Sequence, residues 1–156
     1  MYEFDFAPLV RYWQPLMRGL GVTFQLAGIC LAAGLTLGLA VGLMRYSRRR
    51  PLQWPAAAFI ELFRNAPVLV QLVWFYYAFP VLIGTTMSAF TAAVLALSLN
   101  TAAFSAELFR GVIQSISKGQ WEAGRALGMT EATVMRRIVL PQAVKRMIPP
   151  LTNRAI

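Results

Sequence analysis

Residues 65–106, NAPVLVQLVWFYYAFPVLIGTTMSAFTAAVLALSLNTAAFSA, run for 42 residues without an Asp, Glu, Lys or Arg. One crossing of a bilayer needs only about 20 apolar residues, so the run predicts two crossings joined by a turn. Gly84-Thr85-Thr86, shortly after Pro80, supplies the turn. The crossings are then expected at about 66–83 and 88–106. Trp74, Phe75, Tyr76, Tyr77 and Phe79 gather towards the turn, either as an aromatic belt at the membrane surface or as the wall of a vestibule. Gln71, Ser98, Asn100, Thr101 and Ser105 are costly against lipid and are expected to face other helices or a cavity. Hydrogen bonding between helices is one reading. Lining a translocation path is the other, with Gln71, Ser98, Asn100 and Thr101 as candidates and Asn100 first among them.

Upstream, Gly19 to Met44 is a further charge-free run of 26 residues, ample for another crossing. Gly34, Gly38 and Gly42 recur every four residues and share a face on which a second helix can approach closely. Arg45, Arg48, Arg49 and Arg50 follow at once and assign this loop to the cytoplasm, which puts the amino terminus outside. Pro51 and Pro55 punctuate the loop before a short segment, Ala56 to Arg64, that carries Glu61 and Arg64. Ahead of the first crossing, Phe4, Phe6 and Trp13 suit a membrane interface. Glu3 and Asp5 stand where a signal peptide would be basic, so the first crossing is expected to be retained.

Downstream lies Ser117 to Pro141, SKGQWEAGRALGMTEATVMRRIVLP. Ser117 with Gln120 reads as a capping box, so a helix is expected from Lys118 through Leu127, closed by Gly128 in a left-handed conformation. Thr130 can cap a second helix with Glu131 in its first turn. Val134, Met135, Ile138 and Val139 share one face of that helix, which is expected to end or kink at Pro141. From the pattern alone, an amphipathic pair lying on lipid headgroups is as good a reading as any other. Gln142 to Pro150 reads as a basic bridge, with a further crossing expected to begin after 150.

Composition bounds the class. Hydrophobic residues make up 58% of the chain and charged residues 13%, outside the range of an ordinary soluble domain. The net charge of +9 gathers beside apolar runs, as the positive-inside rule produces without nucleic acid. Cys30 is the lone cysteine and histidine is absent, which excludes disulfide frameworks, Cys- or His-based metal sites and His-based triads. All six acids lie outside the apolar runs, so no carboxylate pair is placed for acid–base catalysis within them.

Glu122-Ala123-Gly124, then Gly128 after three residues, then Ile138-Val139-Leu140-Pro141 after nine more, resembles the EAA loop of ABC-importer permeases. Gly124 is the departure, standing where the family usually has Ala. It weakens the helix by about 1 kcal/mol relative to Ala and leaves room for close approach by a partner. Glu61 to Leu72 is similar to the E-x-F-R-[GN]-[TA]-P-L-L-V-Q-L segment of polar amino acid permeases, and Phe104 to Ile116 resembles the A-E-I-F-R-G-G-I-Q-S-I run before the EAA loop there. Together these stretches indicate the histidine/glutamate/glutamine/opine group. Glu61/Arg64 and Glu107/Arg110 each place an acid and a base three residues apart, either as self-neutralising helix-end pairs or in a gating role.

The resemblance implies an all-α, multi-pass transmembrane bundle with the type I ABC importer permease fold and a cytoplasmic helix–turn–helix coupling loop at 117–141. It implies a transporter subunit rather than an enzyme, passing polar amino acids or opines across the bacterial inner membrane. The chain has no G-x-x-x-x-G-K-[ST] phosphate loop, so ATP and Mg are expected on a separate ATPase subunit, with no cofactor or metal on this chain. The coupling residues implied are Trp121, Glu122, Ala123, Gly124, Leu127, Gly128, Ile138, Leu140 and Pro141. Glu122 is expected to meet a basic group of the ATPase and Trp121 or Leu127 to anchor apolar contact, while Ile138, Leu140 and Pro141 fix the second helix to the bundle. The other partners implied are a second permease chain, identical or not, an external amino-acid-binding protein, and membrane lipid. Members of the family continue with two more crossings, so the chain is expected to be a fragment or truncated product. An ion-gradient-driven carrier and a non-transporting scaffold are the alternative functions; the first is disfavoured by the absence of Asp, Glu or His within the crossings.

Overall fold

The computed structural model describes residues 11–47 and 49–155, with side chains to Pro149. Phe4, Phe6, Glu3, Asp5 and Arg48 lie outside the described residues. Helix α1 is Trp13–Tyr46, α2 is Arg50–Asn65, α3 is Val68–Ile83, α4 is Ala89–Gln114, α5 is Lys118–Ala126, α6 is Glu131–Val134 and α7 is Leu140–Ala155. Among the described residues there is no strand.

Helices α1 and α4 are each long and apolar enough to cross a membrane. Their contact is the spine of the bundle, and the glycine spacing explains it. A Cβ on Gly34 would lie 2.6 Å from Thr101 Cβ, one on Gly38 2.7 Å from Ser105 Cβ, and one on Gly42 2.9 Å from the Ala106 carbonyl oxygen. The expected packing face is therefore occupied, by α4, at a distance that only glycine permits.

Both helices overrun the apolar runs that announce them. Helix α1 begins at Trp13, upstream of Arg18, and α4 continues past Ala106 to Gln114. A helix does not stop where hydropathy falls if the charges that follow can be satisfied on it. Arg110 Nε donates to Glu107 Oε2 at 3.0 Å, its Nη2 bonds Glu107 Oε1, and Nη1 donates to Gln114 Oε1 at 2.9 Å. The companion pair does not form. Arg64 instead places its guanidinium 5.5 Å from the Phe104 ring centre, and Glu61 has no ion-pair partner among the described residues.

Helices α2 and α3 meet at a 104° bend. Ala66 is extended (φ −84°, ψ 132°), as expected for a residue preceding proline, and Pro67 opens α3. At 1.5 Å per residue α3 reaches about 24 Å, short of a ~30 Å hydrocarbon core. Gly84 (φ 67°) closes it, and Ser88 caps α4 by accepting from the Thr91 N–H at 3.1 Å. The aromatic run divides: Phe75 is buried and Phe79 half-buried against α4, so these two are core, while Trp74, Tyr76 and Tyr77 are exposed.

Neither Pro80 nor Pro141 ends its helix. Within α3 the Phe79 N–H bonds the Trp74 oxygen, and after α6 the Leu140 N–H bonds the Met135 oxygen, five residues back in each case. Each wide turn, Trp74–Ala78 and Met135–Val139, immediately precedes an X-Pro pair, Phe79-Pro80 and Leu140-Pro141. Widening the turn relieves the clash and the missing donor that a proline imposes on the preceding turn, and the helix continues. At Pro141, where the helix was expected to end or kink, it does not end, and the bridge expected over 142–150 is replaced by α7. Val139 just before it and Ala143 and Met147 along it are buried, and this packing outweighs the local cost of its prolines.

Candidate functional site

The helix pair α5–α6 is built by its ends. Helix α5 starts at Lys118, but Ser117 makes no side-chain cap bond. The Gln120 side chain is engaged elsewhere, its Oε1 accepting from Gln142 Nε2 at 3.3 Å, a group that also donates to the Ile138 carbonyl at 3.0 Å. The capping box is therefore not formed. At the other end the Gly128 N–H bonds the Arg125 oxygen at 2.9 Å and the Met129 N–H bonds the Gly124 oxygen at 3.1 Å. That reciprocal pair, with Gly128 at φ 73°, is the Schellman termination that glycine allows. Thr130 caps α6, accepting from the Thr133 N–H at 3.3 Å, and Glu131 reaches back to Arg125 Nη2 at 3.1 Å across the turn.

Gly124 is buried against this chain's own second helix rather than left open for a partner. A Cβ there would meet Val134 Cγ2 at 2.6 Å. Val134 and Val139 are fully buried with Ile113, Ile116 and Ala143, and Trp121, Met129, Met135 and Ile138 pack around them. Trp121 also stacks on Tyr46 at the end of α1, ring centres 6.2 Å apart and planes 22° from parallel. Of the two apolar anchors suggested, Trp121 is thus drawn inward and Leu127 stands free, 78% exposed. Glu122, Ala123 and Gly128 are exposed beside it, and Glu122 has no ion-pair partner among the described residues. On the second segment Ile138 and Leu140 are half-buried, but Pro141 is exposed. Val139, placed on the apolar face from sequence but not among the implied coupling residues, is fully buried and does more of the fastening.

Behind α5 a cleft of about 850 Å³ opens between the ends of α1 and α4 and the start of α2. Arg45, Arg49, Arg110, Lys118 and Arg125 bring positive charge to it, against Glu122 and Glu131. Arg45 and Arg49 were read only as a marker of sidedness, and nothing in the sequence places Lys118 beside them.

The polar residues of the helical core lie away from this end pair. Gln71 Nε2 donates to the carbonyls of Phe63 at 2.8 Å and Ala66 at 3.0 Å, and Asn100 Nδ2 donates to the same Phe63 oxygen at 3.1 Å. These bonds occupy carbonyls that the end of α2 leaves open at the bend. Thr101 packs on Gly34, and Ser98 is buried. The shared acceptor is a backbone atom, which no sequence pattern could have disclosed.

The helical fold matches that of the membrane-embedded subunits of ABC importers. The chain belongs to the family described as binding-protein-dependent transport system inner membrane component, which matches residues 34–156, and within it to the polar amino-acid permeases. It is 40% identical over 152 residues to a probable amino-acid ABC transporter permease of Bacillus subtilis, YckA, spanning 97% of this chain and 67% of that protein. It is 44% identical to a probable glutamine ABC transporter permease of the same organism, GlnM, over 88% of this chain and 63% of the relative. The chain thus spans about two thirds of the length of these relatives. Among solved structures, an amino acid ABC transporter crystallised with histidines superposes with a TM-score of 0.87 at 38% identity, over 98% of this chain and 71% of that one. The inward-facing MetNI methionine transporter gives 0.71 at 28% identity, over 90% and 66%. Family and fold together describe a bacterial inner-membrane transport protein, not an enzyme in its own right.

Proposed function

We propose that this chain passes polar amino acids or opines inward as one of two permease chains, identical or not, driven by a separate ATPase that carries the ATP and Mg. An external binding protein delivers the substrate. Helix α5 is the docking element, with Glu122 meeting a basic group of the ATPase and Leu127 as the apolar anchor. The observation that carries this reading is the division of α5: Trp121 and Gly124 tie it to the bundle while Glu122, Ala123 and Leu127 stay exposed. A short helix held rigidly from behind and bare in front is suited to pass a rigid-body displacement to α1 and α4. The amino terminus is outside and α5 lies in the cytoplasm, following the arginines after α1. Crossings at 19–44 and 88–106, the shorter segment at 66–83 beyond the bend and a further crossing after 150 make up the embedded portion, with the coupling loop at 117–141 on its cytoplasmic side. For Gln71 and Asn100 the bonds to the Phe63 carbonyl, and for Thr101 the packing on Gly34, support fastening between helices over lining the path. The buried Ser98 hydroxyl has no hydrogen-bond partner among the described residues and supports neither.

Glu122→Ala is expected to abolish substrate-stimulated ATP hydrolysis by the assembled complex while membrane insertion is kept. Unchanged stimulation would remove Glu122 from the docking contact. Transport that persists without any ATPase subunit would favour an ion-gradient carrier, and no transport by any assembly would favour a scaffold.

A further inference from the structure

The cleft behind α5 gathers more basic than acidic side chains. Of its five basic residues, Arg110 is paired with Glu107 and Arg125 with Glu131. Arg45, Arg49 and Lys118 have no ion-pair partner among the described residues, and Glu122 is the remaining acid on the wall. Five basic residues against Glu122 and Glu131 leave the lining net positive, which suits an anion. At about 850 Å³ the hollow is in the size range of sites that take small molecules and headgroups.

Its position says which kind of anion. Arg45 and Tyr46 close the apolar helix α1, so the cleft opens where hydrocarbon gives way to headgroups. Gln53 lines the cleft from the first turns of α2, and its chain neighbours Leu52 and Trp54 are exposed, Trp54 at 71%. An exposed tryptophan beside basic side chains is the arrangement found at the level of phospholipid headgroups. The stacked rings of Tyr46 and Trp121 give the cleft an apolar wall as well. An acidic protein segment would satisfy the charges but leave Leu52 and Trp54 without purpose.

We propose that this cleft is a binding site for the phosphate headgroup of an anionic phospholipid, held by Arg45, Arg49 and Lys118. Glu122, the proposed ATPase contact, also lines this cleft, whereas Arg45, Arg49 and Lys118 take no part in that contact. The site couples lipid to the docking element, since Lys118, Trp121 and Glu122 of α5 share the cleft with the end of α1.

The test uses the full chain, purified in mild detergent, stripped of lipid and titrated with phosphatidylglycerol or phosphatidylcholine. Bound lipid is read by native mass spectrometry. Phosphatidylglycerol adducts are expected to survive activation that removes phosphatidylcholine. Arg45→Gln/Arg49→Gln is expected to lower their retention roughly tenfold, as loss of charge-assisted contacts should. Lys118→Gln, at the exposed start of a helix, probes the same site without touching α1. Arg136→Gln/Arg137→Gln, which removes two exposed charges outside the cleft, is expected to leave retention unchanged. Equal retention in both cleft variants and the parent overturns the assignment, as does an equal loss in the Arg136/Arg137 variant. Displacement of the adduct by millimolar inorganic phosphate gives the cleft to free phosphate and overturns the lipid source. Exclusion of the lipid when the ATPase subunit binds gives it to that protein.

Discussion

Gly124 shows how a single position can carry both a departure from a motif and its compensation. Where the EAA pattern has Ala, this chain has glycine, and the space so released is filled by the branched side chain of Val134 at 2.6 Å from a would-be Cβ. Alanine would regain about 1 kcal/mol of helix propensity. It would also drive a methyl into a stiff, fully buried valine, at a cost of about 1–3 kcal/mol. Gly124→Ala is therefore expected to lower the thermal midpoint of the purified protein. Gly124→Ala/Val134→Ala should lose less than the sum of the two single changes, by a coupling of at least ~0.5 kcal/mol. A rise in midpoint for Gly124→Ala alone would show that the helix pair yields more easily than its packing implies. The motif was legible in sequence, but its internal use of Gly124 was not, because spacing along a chain does not say which helix lies across from a glycine.

At the scale of elements, what was readable followed from length and charge, and what was not followed from tertiary hydrogen bonds. The glycine stripe and the turn at Gly84 could be placed because glycine spacing and a break in apolar pattern are local signals. The 104° bend between α2 and α3 could not, since its direction is held by Gln71 and Asn100 on one carbonyl of Phe63. Nor could the capping residue at α5, where Gln120 is recruited by Gln142 from 22 residues away. The α1–α4 seam offers a direct check. Gly38→Ala would set a methyl 2.9 Å from the Ala102 carbonyl oxygen, an atom of the helix backbone that cannot turn aside. Destabilisation of about 1–3 kcal/mol is expected. Gly28→Ala, with open space at its Cβ position, should be neutral or slightly stabilising. Equal effects at the two positions, measured by thermal unfolding in detergent, would mean the seam is not close-packed.

For the whole molecule, sidedness governs every functional reading, and the chain is well prepared for its measurement. Its lone cysteine, Cys30, is 6% exposed, so a cysteine introduced elsewhere would be labelled against a low background. Thr85→Cys, in the turn after α3, is expected to react with an impermeant maleimide in intact cells. Arg136→Cys is expected to react only in inside-out vesicles. The reverse pattern would invert the bundle and place the helix pair beyond reach of a cytoplasmic ATPase. The family and its fold could be reached from sequence because motif spacing and apolar length survive in one dimension. The basic cleft could not, because Arg49 and Lys118 are 69 positions apart and meet only when α2 and α5 are brought to the end of the same bundle.

The wide turn at Met135–Val139 has a geometric corollary. Val134 and Val139 are both fully buried although five residues separate them, whereas the buried residues that follow, Ala143 and Met147, are four apart. On a regular helix five residues advance the side chain by about 140° from its starting direction, enough to put Val139 on a different face from Val134. The extra residue in the turn is an angular phase correction, returning the stripe of α6 to the line followed by α7. Deleting one residue between 135 and 138 would restore ordinary helix spacing there while leaving everything after it one position out of length. A length change of a single residue, with no change in hydropathy, would thus be felt as a mismatch between the docking pair and the helix that leaves it.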